Sequence, residues 1–144
     1  MTWAEVAAHE VGHAVCGIAV GGQVDRIHVG TRHGNTDVLM PNTATDMDLA
    51  VMAMGGWATT WWRWPLDDVE LAVARVGRDG LREAMRRAAA IVAERATDVD
   101  ELTELLIARD VEAVAARLRA MNLTGCSTPE ATFRPGKLPS SHTV

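Results

Sequence analysis

Two histidines and a glutamate stand close together near the start of the chain, in the run His9-Glu10-Val11-Gly12-His13. On a helix, residues four apart lie one above the other on the same face, so both imidazoles can reach one zinc ion. Two such ligands leave positions for a third ligand and a water. Glu10 lies about 100° round the helix from His9, where it can take up a proton from a zinc-activated water. The spacing therefore predicts a Zn²⁺ site with His9 and His13 as ligands and Glu10 as the catalytic base.

The helix that carries this run has clear start and stop signals. Thr2 and Glu5 form a candidate capping box, and Gly21-Gly22 predicts that the helix ends at about residue 20. Its other residues are almost all apolar, which predicts burial on most sides. The alternative is an ordinary core helix whose histidines are satisfied by hydrogen bonds. Metal ligation gives a stronger reason for burying three polar side chains.

Two short strands are predicted after this helix. Residues 24–29 alternate in polarity and are rich in β-branched side chains, and residues 37–40 form a second short apolar run. Two strands directly after a ligand helix could frame a substrate cleft, and an edge strand could bind extended peptide through main-chain hydrogen bonds. His28 and His33 are metal ligands by residue type. A surface or cleft position is the favoured interpretation of both.

Acidic residues mark the start of a later helix and offer a third ligand. Pro65 followed by Asp67 and Asp68 is typical of a helix start, where acids suit the positive end of the helix dipole. Both aspartates could simply cap the helix, or one could cap it while the other binds zinc.

A tryptophan-rich stretch, residues 57–64, precedes this helix and contains Trp57, Trp61, Trp62 and Trp64. So many large aromatic side chains beside a predicted loop favour core packing together with a subunit interface over a substrate-binding wall. We therefore expect that the chain could form a homo-oligomer through this stretch.

The remaining sequence predicts helices and then a tail. Apolar residues at helical spacing continue to about residue 121, with a break at Gly77, and from residue 122 onward glycine, proline and serine are frequent. The predicted fold is mainly α. A compact helical domain at residues 1–121 contains a small two- to three-stranded β element beside the zinc-binding helix, and residues 122–144 form a loosely structured C-terminal tail.

Composition limits the function classes and the compartment. The 144 residues suffice for one hydrophobic core, and the formal net charge of −5 argues against nucleic acid or an acidic membrane as partner. No apolar run approaches the roughly 18 residues of a membrane span, and the N-terminus lacks signal-peptide features. With only two cysteines, Cys16 and Cys126, no disulfide framework is indicated. We expect a cytoplasmic protein with neither a membrane nor a nucleic-acid partner.

Three features follow one another along the chain: the run from His9 to Val15, the Gly55-Gly56 pair, and the acidic helix start at residues 67–72. In this order they resemble the FtsH-type zinc proteases, which share a His-Glu-Ala-Gly-His-Ala signature, a Gly-Gly pair and an Asn-Asp helix start. The resemblance extends over about residues 3–120. It implies that Asp68 is the third zinc ligand and that the chain is a metalloprotease, a hydrolase of peptide bonds.

The sequence also departs from that family. These 144 residues contain neither the ATPase module nor the membrane anchor of the family, and residues 57–60 lose the charges that follow the family's Gly-Gly pair. We therefore expect ATP-independent cleavage, with a short peptide or an unfolded protein as substrate.

Two alternatives stay open. The chain could be a non-enzymatic, zinc-stabilised interaction module, in which Cys16, three residues after His13, would close the site as a fourth ligand. The presence of Glu10 favours the peptidase, because a purely structural zinc site needs no base. In the second alternative the third ligand is a glutamate such as Glu70, since other His-Glu-x-x-His families use a downstream glutamate.

Overall fold

The computed structural model of the chain describes residues 1–122 and the backbone of residues 130–134 and 141–143. The fold is mainly helical with a small sheet, as the sequence predicts. Its elements in chain order are α1 (Trp3–Ala19), β1 (Gln23–Gly30), β2 (Gly34–Leu39), α2 (Asp46–Ala53), α3 (Gly55–Thr59), α4 (Leu66–Glu94), α5 (Ala96–Ile107), α6 (Val111–Met121), β3 (Glu130–Arg134) and β4 (Ser141–Thr143).

Helix α1 lies at the centre of the fold. It contacts β1 and β2 as well as α2, α3, α4 and α5, and every residue from His9 to Ile18 is buried. The Thr2 hydroxyl caps the helix by accepting from the Glu5 backbone N–H at 3.2 Å. The predicted burial of α1 on most sides is confirmed, and the motif residues lie inside the protein.

The sheet is built on the β1–β2 hairpin, which is antiparallel with Ile27 opposite Thr36. In the described residues the strand order is β3-β1-β2-β4, with β3 parallel to β1 and β4 parallel to β2. The sheet is thus one strand larger than the upper limit predicted from sequence. Both added strands are short and pair with strands far away in the chain, so no local sequence pattern predicts their pairing with β1 and β2.

The two added strands belong to the segment for which a loosely structured tail was expected. The division of the chain into a domain at 1–121 and a tail at 122–144 stays a prediction, because the rest of that segment lies outside the described residues.

Glycines lie at two of the breaks among the helices. Helix α2 ends at Ala53 and α3 begins at Gly55, so the Gly55-Gly56 pair follows directly on a bend. Gly77 has φ 72° and ψ 176°, which interrupts α4 as the sequence predicts.

Apolar side chains form two adjoining cores, one between α1, the sheet, α5 and α6, and one between α1, α2 and α4. Within the described part of the chain, no helix is both long and apolar enough to cross a bilayer.

Candidate metal centre

The two motif histidines converge on one point. Their Nε2 atoms lie 3.1 Å apart, and the ring planes are inclined by 77°. This is the arrangement expected for residues at i and i+4 of a helix. Both rings are removed from solvent, with His9 7% and His13 1% exposed.

Asp68 completes the cluster from the first turn of α4. Its Oδ2 atom lies 3.1 Å from His9 Nε2 and 3.3 Å from His13 Nε2, and the residue is 2% exposed. Asp67, beside it in the sequence, is exposed. Of the two acids at this helix start, Asp68 therefore faces the histidines and Asp67 faces solvent, where it suits the helix dipole.

Hydrogen bonds on the far side of each ring fix the tautomers. His13 Nδ1 lies 2.8 Å from the Met52 carbonyl, which can only accept, so Nδ1 carries the proton. The Thr60 hydroxyl donates to the Gly56 carbonyl at 2.9 Å and therefore accepts from His9 Nδ1 at 3.2 Å. Both imidazoles consequently present the lone pair of Nε2 to the centre of the cluster, as metal-bound histidines do.

In these neutral tautomers, three acceptor atoms face one another at 3.1–3.3 Å. Two lone pairs and a carboxylate at this distance repel each other in a buried site unless a positive charge lies between them. A tetrahedral zinc ion with bonds of roughly 2.05 Å holds its ligand atoms about 3.3 Å apart, which matches this spacing. The buried His9–His13–Asp68 group could therefore bind a metal ion.

Glu10 lies on the next face of α1, against β2. It is 1% exposed, and its Oε1 atom accepts a hydrogen bond from the Thr36 hydroxyl at 2.7 Å. A Cβ at Gly34 would lie 2.5 Å from Glu10 Cγ, so only glycine leaves room for the side chain there. The strand β2 thus positions the carboxylate beside the ligand face of the helix.

Two glycine contacts set the distance between α1 and α3. A Cβ at Gly12 would lie 2.1 Å from the Gly55 carbonyl oxygen, and a Cβ at Gly55 would lie 2.3 Å from the Gly12 carbonyl oxygen. A Cβ at Gly56 would lie 2.3 Å from His9 Cε1. The glycine inside the motif and the Gly55-Gly56 pair therefore serve one purpose, because they let α3 approach the ligand helix closely enough for His9 to pack on it.

No family model, curated protein or solved structure matches this chain.

Three other residues considered from the sequence lie apart from the cluster. The Sγ atom of Cys16 is 3.8 Å from the Ala88 carbonyl in the second core, and burial raises the pKa of its thiol to about 12 despite the opposing charge of Arg95. His28 is buried in β1, and His33 is exposed in the turn after it. The metal-binding group found among the described residues contains none of these three.

The tryptophan-rich stretch divides between core and surface. Trp57 is half-buried against the second core, whereas Trp61 is 69% exposed and Trp62 and Trp64 are also exposed. The rings of Trp61 and Trp62 meet edge to face at 5.9 Å. A groove of about 520 Å³ runs past Trp61 between α1, α3, α4 and α5, but it is not lined by the three candidate ligands.

Three residues that hold the site were not found from the sequence. The Met52 carbonyl orients His13, Thr60 orients His9, and Thr36 holds Glu10. Every residue has a backbone carbonyl, so the residue type of Met52 does not show that its carbonyl binds His13. The carbonyl of Met52 lies in the last turn of α2, and a backbone carbonyl has two lone pairs, so it can accept from His13 as well as from the backbone. Thr36 could have been found only with the register of β2, which begins at Gly34 and not at residue 37 as predicted.

Proposed function

We propose that the chain is a zinc-dependent, ATP-independent peptidase resembling the FtsH-type metalloproteases, which hydrolyses peptide bonds in short or unfolded substrates. The observation that carries the proposal is the convergence of three buried acceptor atoms, from His9, His13 and Asp68, beside a buried carboxylate on the same helix. A structural zinc site would have no use for that carboxylate.

In this proposal His9, His13 and Asp68 would hold the ion, and Glu10 is the general base. When bound, zinc supplies Lewis acidity, which makes water nucleophilic near neutral pH and polarises the scissile carbonyl. Glu10 takes the proton of the attacking water and passes it to the leaving amine. The Thr36 hydroxyl donates to Oε1 of Glu10 and so restrains the orientation of this carboxylate.

The donor set favours zinc, while other divalent transition metals also accept two imidazoles and a carboxylate. Metal analysis of purified protein identifies the ion. Glu70, the other glutamate considered as third ligand, is exposed. Asp68 is therefore the better candidate, and zinc content after Asp68→Ala against Glu70→Ala compares the two directly.

The non-enzymatic alternative requires a closed site, with protein filling the fourth position. Cys16, the residue expected to close it, contacts the Ala88 carbonyl instead. This contact supports an open fourth position and hence the peptidase.

The decisive experiment compares Glu10→Gln with Glu5→Gln, since both residues lie on α1 and Glu5 pairs with Arg63 away from the cluster. Zinc-loaded wild-type protein and Glu5→Gln should cleave fluorescent casein without ATP. Glu10→Gln should keep its zinc and lose at least about a hundredfold in turnover, the usual contribution of a general base. Wild-type turnover in Glu10→Gln would refute the assignment.

A further inference from the structure

The outer edge of β2 is occupied by a distant segment of the same chain. Ser141–Thr143 forms β4, which runs parallel to β2 with its three residues opposite Asn35, Thr36 and Asp37. The middle one of these three, Thr36, is the residue whose hydroxyl holds Glu10. Neighbouring strands lie about 4.8 Å apart, so the backbone of β4 passes one strand spacing from the residue that positions the proposed base.

An extended peptide could use the same edge. The outer side of a terminal strand offers a row of backbone N–H and C=O groups, and adding a strand to it is a common way of binding extended peptide. A substrate of the proposed peptidase has to place a peptide bond near Glu10. The edge of β2 is the sheet edge on that side, because β1 covers the opposite edge of β2.

The other added strand does not share this position. β3 pairs with β1, so both β1 and β2 separate it from β4, and it also packs on α6. β4 has three residues, and its main contact is with β2. Because each main-chain hydrogen bond contributes little net stability, a strand this short is readily displaced.

We propose that β4 is a built-in competitor for extended substrate, which occupies the edge of β2 and lowers peptidase activity until it is displaced. The regulatory consequence rests on the proposed function, whereas competition for the edge does not. Covalent tethering gives such a segment an effective concentration of roughly 1 mM. If the same segment binds as a free peptide with a dissociation constant of about 0.1 mM, occupancy lowers activity about tenfold.

Proline substitutions test this with a matched pair. In a parallel ladder, alternate residues direct their N–H groups to the same neighbour, so only one of His142 and Thr143 donates to β2. Proline removes that donor and is compatible with an extended backbone. One of His142→Pro and Thr143→Pro should therefore release β4 while the other leaves it in place. His142→Ala and Thr143→Ala keep both N–H groups and control for loss of the side chains.

Two readouts are measured on the zinc-loaded protein of 144 residues. The first is casein turnover, which we expect to rise about tenfold in the releasing variant and to stay at the wild-type rate in the other three. The second is fluorescence anisotropy of a labelled peptide of residues 138–144, measured in a Glu10→Gln background so that the peptide stays intact. The releasing variant should bind this peptide at least several-fold more tightly than the wild-type sequence does, and unlabelled peptide should inhibit its casein turnover.

The two readouts separate the two proposals. If no variant, including wild type, cleaves casein, the peptidase assignment fails and the anisotropy measurement alone decides whether β4 competes for the edge. If neither proline variant changes peptide binding, the competition is refuted whatever the turnover. Equal release by both proline variants would also refute it, because the parallel ladder allows only one of them to act.

Discussion

Gly56→Ala should disrupt the candidate metal centre although it replaces none of the three candidate ligands. The His9 ring lies against Gly56, and an added Cβ would be 2.3 Å from its Cε1 atom and 2.5 Å from its Nε2 atom. Carbon atoms in contact stay roughly 3.5–4.0 Å apart, so the ring has to move by about 1 Å or more. A metal–ligand bond tolerates only about 0.2 Å. His9 therefore cannot keep its place in the cluster.

The expected loss is at least about a hundredfold in zinc affinity, which corresponds to about 2.7 kcal/mol. At free zinc of about a thousand times the wild-type dissociation constant, the ion stabilises wild type by about 4.1 kcal/mol and the variant by about 1.4 kcal/mol. For a chain of this size the difference is about 8 °C in the zinc-induced rise of Tm. Chelator competition gives the affinity, and calorimetry with and without zinc gives the shift.

Gly80→Ala is the matched control, because a Cβ there would lie 2.5 Å from the Val76 side chain in α4, away from the ligands. Crowding of this kind costs about 1–3 kcal/mol, while the helix propensity of alanine returns about 1 kcal/mol. Gly80→Ala should therefore change Tm in the absence of zinc but keep the wild-type affinity for the ion. Wild-type zinc affinity in Gly56→Ala would show that His9 does not bind the ion from this position.

Further predictions concern Asp68, Cys16 and Trp61. Asp68→Ala should reduce zinc content after dialysis to below about a tenth of wild type, whereas Asp67→Ala, at an exposed position, should retain it. Metal analysis of both variants tests this, and equal zinc content would contradict the assignment of Asp68 as the third ligand. In a Cys126→Ser background, Cys16 should react with iodoacetamide at pH 8 roughly a thousandfold more slowly than in urea, because burial raises its pKa from 9.0 to about 12. The unfolded chain then loses this proton first as the pH rises above about 9, so the free energy of unfolding should fall between pH 9 and 12, and denaturant melts of Cys16→Ala should lack that fall. We expect a homo-oligomer through the exposed tryptophans, so Trp61→Ser should lower the sedimentation mass without lowering Tm. A wild-type mass of one chain, or a mass that the substitution leaves unchanged, would refute this interface.

Local sequence signals predicted the ligand helix and the helical part of the fold well. The cap at Thr2 and the break at Gly77 are local features, since each depends on one residue and its neighbours in the chain. The burial of α1 followed from its nearly continuous apolar sequence. Asp68 faces the histidines as the resemblance implied, although the acidic helix start alone left Asp67 equally open.

These local signals did not predict the tertiary contacts that hold the site together. The hydrogen bonds of Met52 and Thr60 depend on how α2 and α3 lie against α1, which no periodicity encodes. The sequence did not predict that Thr36 faces Glu10, because β2 begins earlier than its apolar run suggests. The start and register of a strand decide which face each side chain is on, since a shift of one residue turns every side chain to the other face. The strand β4 pairs through its backbone, so its side chains give no indication of the partner.

The glycines of the motif and of the Gly55-Gly56 pair are visible in the sequence, and they also make the tertiary contact that assembles the site. His9 and Asp68 are 59 residues apart in sequence, and their atoms approach to 3.1 Å only because α3, which leads into α4, packs closely on α1. That packing requires the backbone contact between Gly12 and Gly55, where any side chain would meet a carbonyl oxygen. Because an unfolded chain cannot hold the three candidate ligands together, the proposed zinc binding and the packing of these helices should stabilise each other. A larger residue at Gly12 should therefore weaken zinc binding, although Gly12 is not itself a candidate ligand.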